Sequence, residues 1–207
     1  MDLSNHELLR TQVYEYLRAE LRQGNLRPGI FLSMNQLQKQ VGISRTPLRD
    51  ALLLLQAEGF VDFLPQRGIR INEVTQQDIE NMYEILGALD SSALLSVFDK
   101  IGEREIEEMK KINEEMAKNF GDHEFRPYWD LNTAFHGVYL KFSSNAPLLN
   151  QLSIVRQRLF AFGKEDWSLK MKKMNHDEHL KMIELIAGGD AIGAANFMRD
   201  VHCSINF

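Results

Sequence analysis

Two closely spaced helical patterns constrain the fold of this chain more than any other feature of its sequence. The first, Met34–Val41, ends at Gly42, and the second begins two residues later at Ser44, its expected N-cap. Pro47 falls in the first turn of the second helix, where its missing N–H costs no hydrogen bond. Helices joined by so short a link form a tight pair, which is typical of a helix-turn-helix.

The segments on either side of this pair complete a small domain. A helical period over residues 5–22 precedes the pair, and two β-prone runs, 60–64 and 69–71, follow it on either side of a turn at 65–68. Three helices followed by a two-stranded hairpin is the order of a winged helix-turn-helix domain. We therefore predict such a domain over residues 1–74, with the hairpin as its wing.

The second helix of the pair has an apolar face and a basic face. Its apolar residues recur at i, i+3, i+4 and i+7 and therefore face the core: Leu48, Ala51, Leu52 and Leu55. Arg45, Thr46 and Arg49 project from the opposite side, while Arg67 lies at the expected wing tip and Arg70 on the return strand. A guanidinium can pair with both major-groove acceptors of guanine or bind a phosphate. A solvated helix start also accommodates two arginines, but the nearby turn and wing favour a nucleic-acid contact.

From residue 75 onward the sequence predicts helices and no strand. Six stretches have helical periods: 78–99, 103–119, 128–142, 148–162, 170–187 and 190–205. Six helices around one core suit an antiparallel bundle of this length. The fold class predicted for the whole chain is therefore mainly α, with an all-helical second domain over residues 75–207.

Charge and composition limit the cellular compartment and the classes of binding partner that we expect for the protein. The net charge of −5 divides into +1 for residues 1–74 and −6 for the remainder, so any basic surface has to be local. No apolar run approaches the roughly 20 residues that a membrane span needs, and residues 1–6 lack the pattern of a secretory signal. The single cysteine, Cys203, fits a reducing compartment. We expect a cytoplasmic protein without a membrane partner.

Four short stretches of the first domain carry a family resemblance. They are GNLRPG at 24–29, VGISRTPLRDAL at 41–52, EGFV at 58–61 and QRG at 66–68. They resemble the DNA-binding domain of the GntR family of bacterial transcriptional regulators. The resemblance implies that a homodimer binds double-stranded operator DNA with two-fold symmetric half-sites. It also implies DNA contacts from Arg45, Thr46, Arg49 and Arg67, with lesser ones from Ser44 and from Asn35, where relatives often carry arginine.

The helical half resembles the ligand-binding domain, of the FCD type, in the FadR-like branch of that family. Residues 129–136, 144–148 and 178–179 carry this resemblance. It implies a metal site formed by Asn132, His136 and His179, with Asn132 replacing the usual aspartate. Val201 occupies the place of a further histidine, and His202 lies one residue away. Because one residue turns a helical side chain by about 100°, His202 reaches the site only if the helix rotates or shifts its register.

Two interpretations of these histidines remain open on the sequence alone. Asn132 and His136 are spaced i, i+4 on one helix, and His179 can approach them from the next long helix, which permits a metal site. Imidazole-rich ligand sets favour zinc or nickel. The alternative is that His136 and His179 are ordinary hydrogen-bonded histidines of the core.

The resemblance also implies a small-molecule effector bound in the helical half. Leu86 falls where relatives often place an arginine that binds a carboxylate effector. Arg156 and Arg158 lie near aromatic residues in the sequence and are the candidates for binding an acidic effector instead. We therefore expect a transcriptional repressor whose operator affinity is controlled by a carboxylate effector.

Two other functions compete with that of a repressor. A protein-interaction module would use the winged helix to bind another protein, and such binding would depend little on salt. A metal-dependent enzyme built on the helical bundle would need a general base beside an open metal position, and the sequence indicates none. It also contains no nucleophile elbow and no phosphate-binding glycine loop. We expect no enzymatic activity.

Overall fold

The structure, a computed structural model, describes residues 3–120, 125–162 and 168–204. The chain forms two compact units: the first contains the residues up to Thr75 together with Phe160–Phe162, and the second contains the residues from Gln76 onward apart from those three. Helices dominate in the described ranges and the strands form one small sheet, which confirms the prediction of a mainly α fold. No helix in these ranges combines the length and the apolar character that a membrane span requires.

The first unit contains the three predicted helices and a small sheet. Its elements are α1 (Leu3–Gln23), β1 (Phe31–Leu32), α2 (Met34–Val41), α3 (Arg45–Ala57), β2 (Val61–Leu64) and β3 (Gly68–Ile71). Helix α1 packs against α3. Val13, Leu17 and Leu21 of α1 are at most 2% exposed, because their i, i+4, i+8 spacing places them on one face.

The predicted hairpin is present as β2 and β3, and a third strand, β1, which the sequence did not predict, joins the wing sheet. Strand β1 pairs with β3 in antiparallel fashion, which gives the strand order β1-β3-β2. Strand β3 also pairs with β2, with Val61 opposite Ile71 and Leu64 opposite Gly68. A strand of two residues is too short to show a period in the sequence, and for this reason the sequence does not indicate β1.

The second unit is helical throughout its described residues. Its α-helices are α4 (Gln76–Val97), α5 (Glu103–Lys118), α6 (Phe125–Leu140), α7 (Ala146–Phe162), α8 (Leu169–Ala187) and α9 (Ala191–Phe197), with a short 3₁₀ turn at Phe98–Lys100. Helix α5 packs against α6 and α8, and α4 packs against α9. These six helices confirm the predicted all-helical architecture.

The end of the last helix differs from the prediction. The sequence predicts a helical period over residues 190–205, but α9 ends at Phe197 and is followed by a π-helical turn, Met198–His202, which we name the π-turn. Its defining hydrogen bond runs from the N–H of Cys203 to the carbonyl of Met198, five residues earlier, over 3.0 Å. The predicted end at residue 205 lies outside the described residues.

Candidate nucleic-acid interface and histidine cluster

The first turns of α3 present two arginines to solvent. Leu48 and Leu52 on the opposite face are at most 1% exposed, which fixes the orientation of the helix in its unit. Arg45, Thr46 and Arg49 are all exposed, as the helical period predicts. Neither arginine has an ion-pair partner among the described residues. Both guanidinium groups can therefore meet an external anion without breaking an internal pair.

Ser44 and Asn35, the two lesser predicted contacts, are also exposed. Ser44 occupies the N-cap position of α3 with an extended backbone, but its hydroxyl makes no capping hydrogen bond. The predicted capping bond is therefore absent from the structure. Asn35 lies in the first turn of α2.

The tip of the wing is a tight turn between β2 and β3. Gln66 has a φ of 61°, a left-handed conformation that is uncommon for a residue other than glycine. The next residue, Arg67, is exposed, and its N–H donates to the carbonyl of Leu64 over 3.2 Å. Arg70, by contrast, pairs with Asp62 on the neighbouring strand over 3.1 Å. Arg67 is thus the wing arginine that is available to a partner.

Three histidines of the second unit form a compact cluster. Each offers one ring nitrogen, and the three nitrogens lie within 4.8 Å of one another. The Nε2 atoms of His136 and His202 are 3.3 Å apart. The ring of His179 is centred 5.4 Å from that of His136 and 4.9 Å from that of His202. The structure therefore brings His202 to the pair that the sequence indicated.

Two of the three imidazoles are oriented by acceptors at Nδ1. His179 Nδ1 lies 3.1 Å from the amide oxygen of Asn113, whose NH₂ group donates to the carbonyl of His176 and so fixes the amide orientation. His202 Nδ1 lies 3.0 Å from a carboxylate oxygen of Glu178. Both acceptors require the proton on Nδ1, so in the neutral ring the lone pair is on Nε2.

The third imidazole is oriented by a hydroxyl. His136 Nδ1 lies 3.0 Å from the hydroxyl oxygen of Tyr139, and that hydroxyl donates its own proton to Asp90 over 2.6 Å. The tyrosine oxygen can then accept from His136, which again places the proton on Nδ1 and the lone pair on Nε2. All three histidines thus have a lone pair on the ring nitrogen away from their orienting partner.

Asp90 is a buried carboxylate that the sequence analysis missed. Its side chain is fully buried and accepts from Tyr139 on one oxygen, while the other oxygen pairs with Arg156. Arg156, predicted to bind an effector, therefore has an internal partner. The signal available in the sequence was a single aspartate in the otherwise apolar and small-residue stretch 86–94 of a helix.

Burial favours the neutral form of two of the histidines. His136 and His179 are 3% and 0% exposed. Burial lowers the pKa of His136 well below its usual value, and the positive charge of Arg156 lowers it further. Burial lowers the pKa of His179 in the same direction, and His202 and His176 lower it further. Neutral imidazole is the form that coordinates a metal.

Two buried acceptors without a hydrogen-bond partner among the described residues fit a divalent metal ion. They are His179 Nε2, within the cluster, and Oδ1 of Asn132, one helical turn before His136 on α6, and such atoms call for an ion or a water. Two nitrogens bound to one tetrahedral zinc ion are about 3.3–3.4 Å apart. The separation of His136 and His202 Nε2 matches that value. A ligand set of imidazole nitrogens with one amide oxygen suits zinc or nickel better than magnesium or calcium.

Two stretches of the chain match known protein families. Residues 9–71 match the family described as "Bacterial regulatory proteins, gntR family". Residues 81–201 match the FCD domain. The first stretch contains all six residues predicted to contact DNA. The second contains Asn132, His136 and His179 and ends one residue before His202.

Individual relatives give the same picture. The chain is 32% identical to the uncharacterized HTH-type transcriptional regulator YdhC of Bacillus subtilis (strain 168) over 70% of its own length, and it spans 65% of that relative. It is 25% identical to the probable D-xylose utilization operon transcriptional repressor of Paenarthrobacter nicotinovorans, over 92% of this chain and 85% of that one. The solved structure of E. coli McbR/YncC has the same fold, with a TM-score of 0.75 at 19% identity over 94% of this chain and 93% of that one.

Proposed function

This chain belongs to the GntR family of bacterial regulatory proteins, and we propose that it is a repressor whose operator affinity is set by a small carboxylate effector. It is a DNA-binding transcriptional regulator rather than an enzyme. The relative from the D-xylose operon is itself described as a probable repressor, which supports this sign of regulation. A regulator of bacterial DNA acts in the cytoplasm, and we place the protein there.

The proposed mode of binding rests on the guanidinium groups of Arg45 and Arg49, which are exposed and have no ion-pair partner among the described residues. They lie at the N-terminal end of α3, the part of a recognition helix that contacts base edges in helix-turn-helix proteins. The exposed hydroxyls of Ser44 and Thr46 suit phosphate or base contacts, and Arg67 at the wing tip suits the adjacent backbone. Asn35, in the first turn of α2, is a further phosphate contact in this proposal.

A single α3 makes few base contacts, so we propose that the protein binds as a homodimer. Two copies related by a two-fold axis would contact two half-sites of a symmetric operator, and the second contact would add affinity at a high effective concentration. A ligand that changes how the two DNA-binding units are held would then change operator affinity.

The helical unit is the proposed sensor. His136 and His179, with the amide of Asn132, would hold a divalent metal, zinc or nickel, which would supply a positively charged, electron-accepting centre for a carboxylate. Arg156 pairs with Asp90. Arg158 has a buried Nε without a hydrogen-bond partner among the described residues, and it is the guanidinium we propose for a second contact to the effector.

A binding-site selection tests the proposal. The full chain is incubated with a library of randomised duplexes, and the enriched site is examined by footprinting and by the stoichiometry of the complex. We expect two half-sites about one helical turn apart, two protomers per duplex, and affinity that falls steeply with salt. Enrichment of no sequence, together with salt-independent capture of a protein partner, would support the interaction-module alternative instead.

A further inference from the structure

Residues 58–60 connect the recognition helix α3 to the wing, and we call them the α3–wing joint. Gly59 has a φ of 79°, which turns the chain out of the helix. The N–H of Phe60 donates to the carbonyl of Leu55 in α3, and the carbonyl of Phe60 accepts from the N–H of Asn72, just after β3, each over 2.9 Å. The backbone of Phe60 is therefore tied to both the helix and the wing.

The side chain of Phe60 packs on a residue from a distant part of the sequence. Phe60 is 1% exposed, and its ring is centred 6.1 Å from that of Phe162, in the last turn of α7. This distance is typical of aromatic pairs. The guanidinium of Arg18 in α1 lies over the same ring, 5.9 Å from its centroid. Because Phe160–Phe162 belong to the first compact unit, the last turn of α7 is part of the unit that contacts DNA.

Helix α7 contributes residues to both units. Its residues 146–159 belong to the second unit, where Arg156 pairs with the fully buried carboxylate of Asp90 on α4. Only six residues, fewer than two helical turns, separate Arg156 from Phe162. Helices are rigid elements that can carry coupling between two sites. A displacement of Arg156 is therefore transmitted along α7 to Phe162.

The pair of Asp90 and Arg156 is also linked to the proposed sensor. Asp90 accepts a hydrogen bond from Tyr139, whose oxygen lies 3.0 Å from His136 Nδ1. The side chain of Arg156 is 11% exposed, so it is not completely enclosed by its partner. A guanidinium pairs with any carboxylate in the same way, and a bound carboxylate effector would therefore compete with Asp90 for Arg156.

We propose that α7 relays the state of this ion pair to the wing. With the pair intact, Phe162 holds the α3–wing joint and keeps Arg67, at the wing tip, in position for DNA. A carboxylate that takes Arg156 from Asp90 shifts α7, releases the joint and weakens the DNA contact of the wing. This inference rests on the proposed control of operator affinity by a carboxylate, and it names the element through which that control acts.

A double-mutant cycle on operator affinity tests the contact at the joint. The full chain is titrated onto the selected operator by fluorescence anisotropy. Arg67→Ala is expected to weaken binding about 10-fold in the wild-type background. In the Phe162→Ala background it should cost less than about 2-fold, because the wing is already displaced. Equal costs of Arg67→Ala in the two backgrounds overturn the inference.

Two controls distinguish displacement of the wing from a general loss of structure. Arg45→Ala should cost the same factor in both backgrounds, because the orientation of α3 depends on the buried residues Leu48 and Leu52. Phe142→Ala removes a ring of similar, half-buried exposure from the second unit and should bind operator like the wild type. A Phe162→Ala variant that reduces the effect of Arg45→Ala as much as that of Arg67→Ala contradicts a role specific to the wing.

A second cycle tests the other end of α7. The double variant Asp90→Asn with Arg156→Met removes the ion pair and leaves no unpaired buried charge. It should bind operator about 10-fold more weakly than the wild type, a factor within the usual range of allosteric coupling. In the Phe162→Ala background the same two substitutions should cost less than about 2-fold. Wild-type affinity in the double variant, or an undiminished loss when Phe162 is absent, overturns the relay.

Hydrogen exchange of the wild type decides if a variant loses its helical circular dichroism. Coupling between two sites is reciprocal, so operator DNA must act on α7 if α7 acts on operator affinity. Added operator duplex should slow exchange at residues 158–162 as well as in the wing, and unchanged exchange at the end of α7 overturns the inference. Failure of the proposed function looks different: a wild type that binds no operator removes DNA binding itself, whereas additive variants of a binding protein remove only the relay.

Discussion

The hydroxyl of Tyr139 donates a 2.6 Å hydrogen bond to Asp90, which joins α6 to α4 inside the helical unit. Asp90 is also the partner of Arg156, and Tyr139 is also the acceptor for His136. Tyr139 thus donates a hydrogen bond to the buried carboxylate of Asp90 and fixes the tautomer of His136. The hydrogen bond therefore connects the stability of the unit to the histidine cluster.

Removing that hydroxyl should weaken both properties. Tyr139→Phe leaves His136 Nδ1–H without its acceptor and Asp90 without one donor, so we expect a loss of about 1–3 kcal/mol in unfolding free energy. We also expect zinc affinity to fall by about 10-fold to 100-fold, because the imidazole loses its orienting partner. Urea denaturation and zinc titration measure the two effects. Tyr16→Phe is the control, since among the described residues the hydroxyl of Tyr16 accepts one hydrogen bond, from the exposed side chain of Gln40 in the first unit. Equal effects in both variants would contradict the prediction.

The pair of Asp90 and Arg156 should behave as a buried ion pair. Arg156→Met leaves a fully buried carboxylate without its cation, and we expect a loss of about 3–5 kcal/mol in unfolding free energy. The double variant Asp90→Asn with Arg156→Met removes both charges and should be more stable than Arg156→Met alone. A thermal or urea double-mutant cycle measures this coupling. Strictly additive losses would show that the two groups do not interact.

Metal-free protein should lose stability as the pH falls below about 6.5. The pKa values of His136 and His179 are lowered in the folded state, so the unfolded chain binds more protons, and unfolding free energy decreases as pH falls from the unfolded pKa toward the folded pKa. Each imidazole contributes up to about 1.4 kcal/mol per pH unit in this range. Urea titrations with chelator at pH 7.5, 6.5 and 5.5 measure the slope. The slope should shrink in His179→Gln, and an unchanged slope in that variant would contradict the assignment.

The wing depends on a glycine for its third strand. Gly68 has a φ of 94°, and a Cβ atom there would lie 2.6 Å from the carbonyl oxygen of Leu32 in β1. Gly68→Ala should therefore cost more than the strain of the left-handed backbone alone, which is about 1–2 kcal/mol. Gly42→Ala is the matched control, since Gly42 has a φ of 74° with nothing within 4 Å of the added methyl. Equal losses of unfolding free energy in the two variants would show that the carbonyl of Leu32 in β1 does not clash with a side chain at position 68.

The sequence predicted those features of the fold that depend on apolar periodicity and on turn residues. The bounds of α2, the orientation of α3 and the all-helical second unit follow from repeats of apolar residues and from glycines at helix ends. Strand β1 is too short to show an alternating pattern of apolar residues. Its pairing depends on β3, which lies 36 residues later in the chain. The ion pair of Arg70 could not be predicted for the same reason, because only the strand register shows that Asp62 lies opposite Arg70.

The histidine cluster was predictable in part. The i, i+4 spacing of Asn132 and His136 placed both on one face of α6, and the sequence raised a register shift as the condition for His202. Whether that shift occurs depends on tertiary contacts, in particular the close approach of Cys203 to Gly87 of α4, which no local pattern shows. Asp90 was missed because a single polar residue in an apolar helix has no spacing to mark its role.

Operator affinity of the variants Arg45→Ala and Arg49→Ala tests the central claim most directly. Each is compared with wild type and with Arg104→Ala, an exposed arginine of the helical unit, by fluorescence anisotropy on the selected operator. Each recognition-helix variant should lose roughly 1–3 kcal/mol of binding free energy while its unfolding free energy stays unchanged, and Arg104→Ala should bind like the wild type. Wild-type operator affinity in both recognition-helix variants would contradict the assignment of this face to DNA.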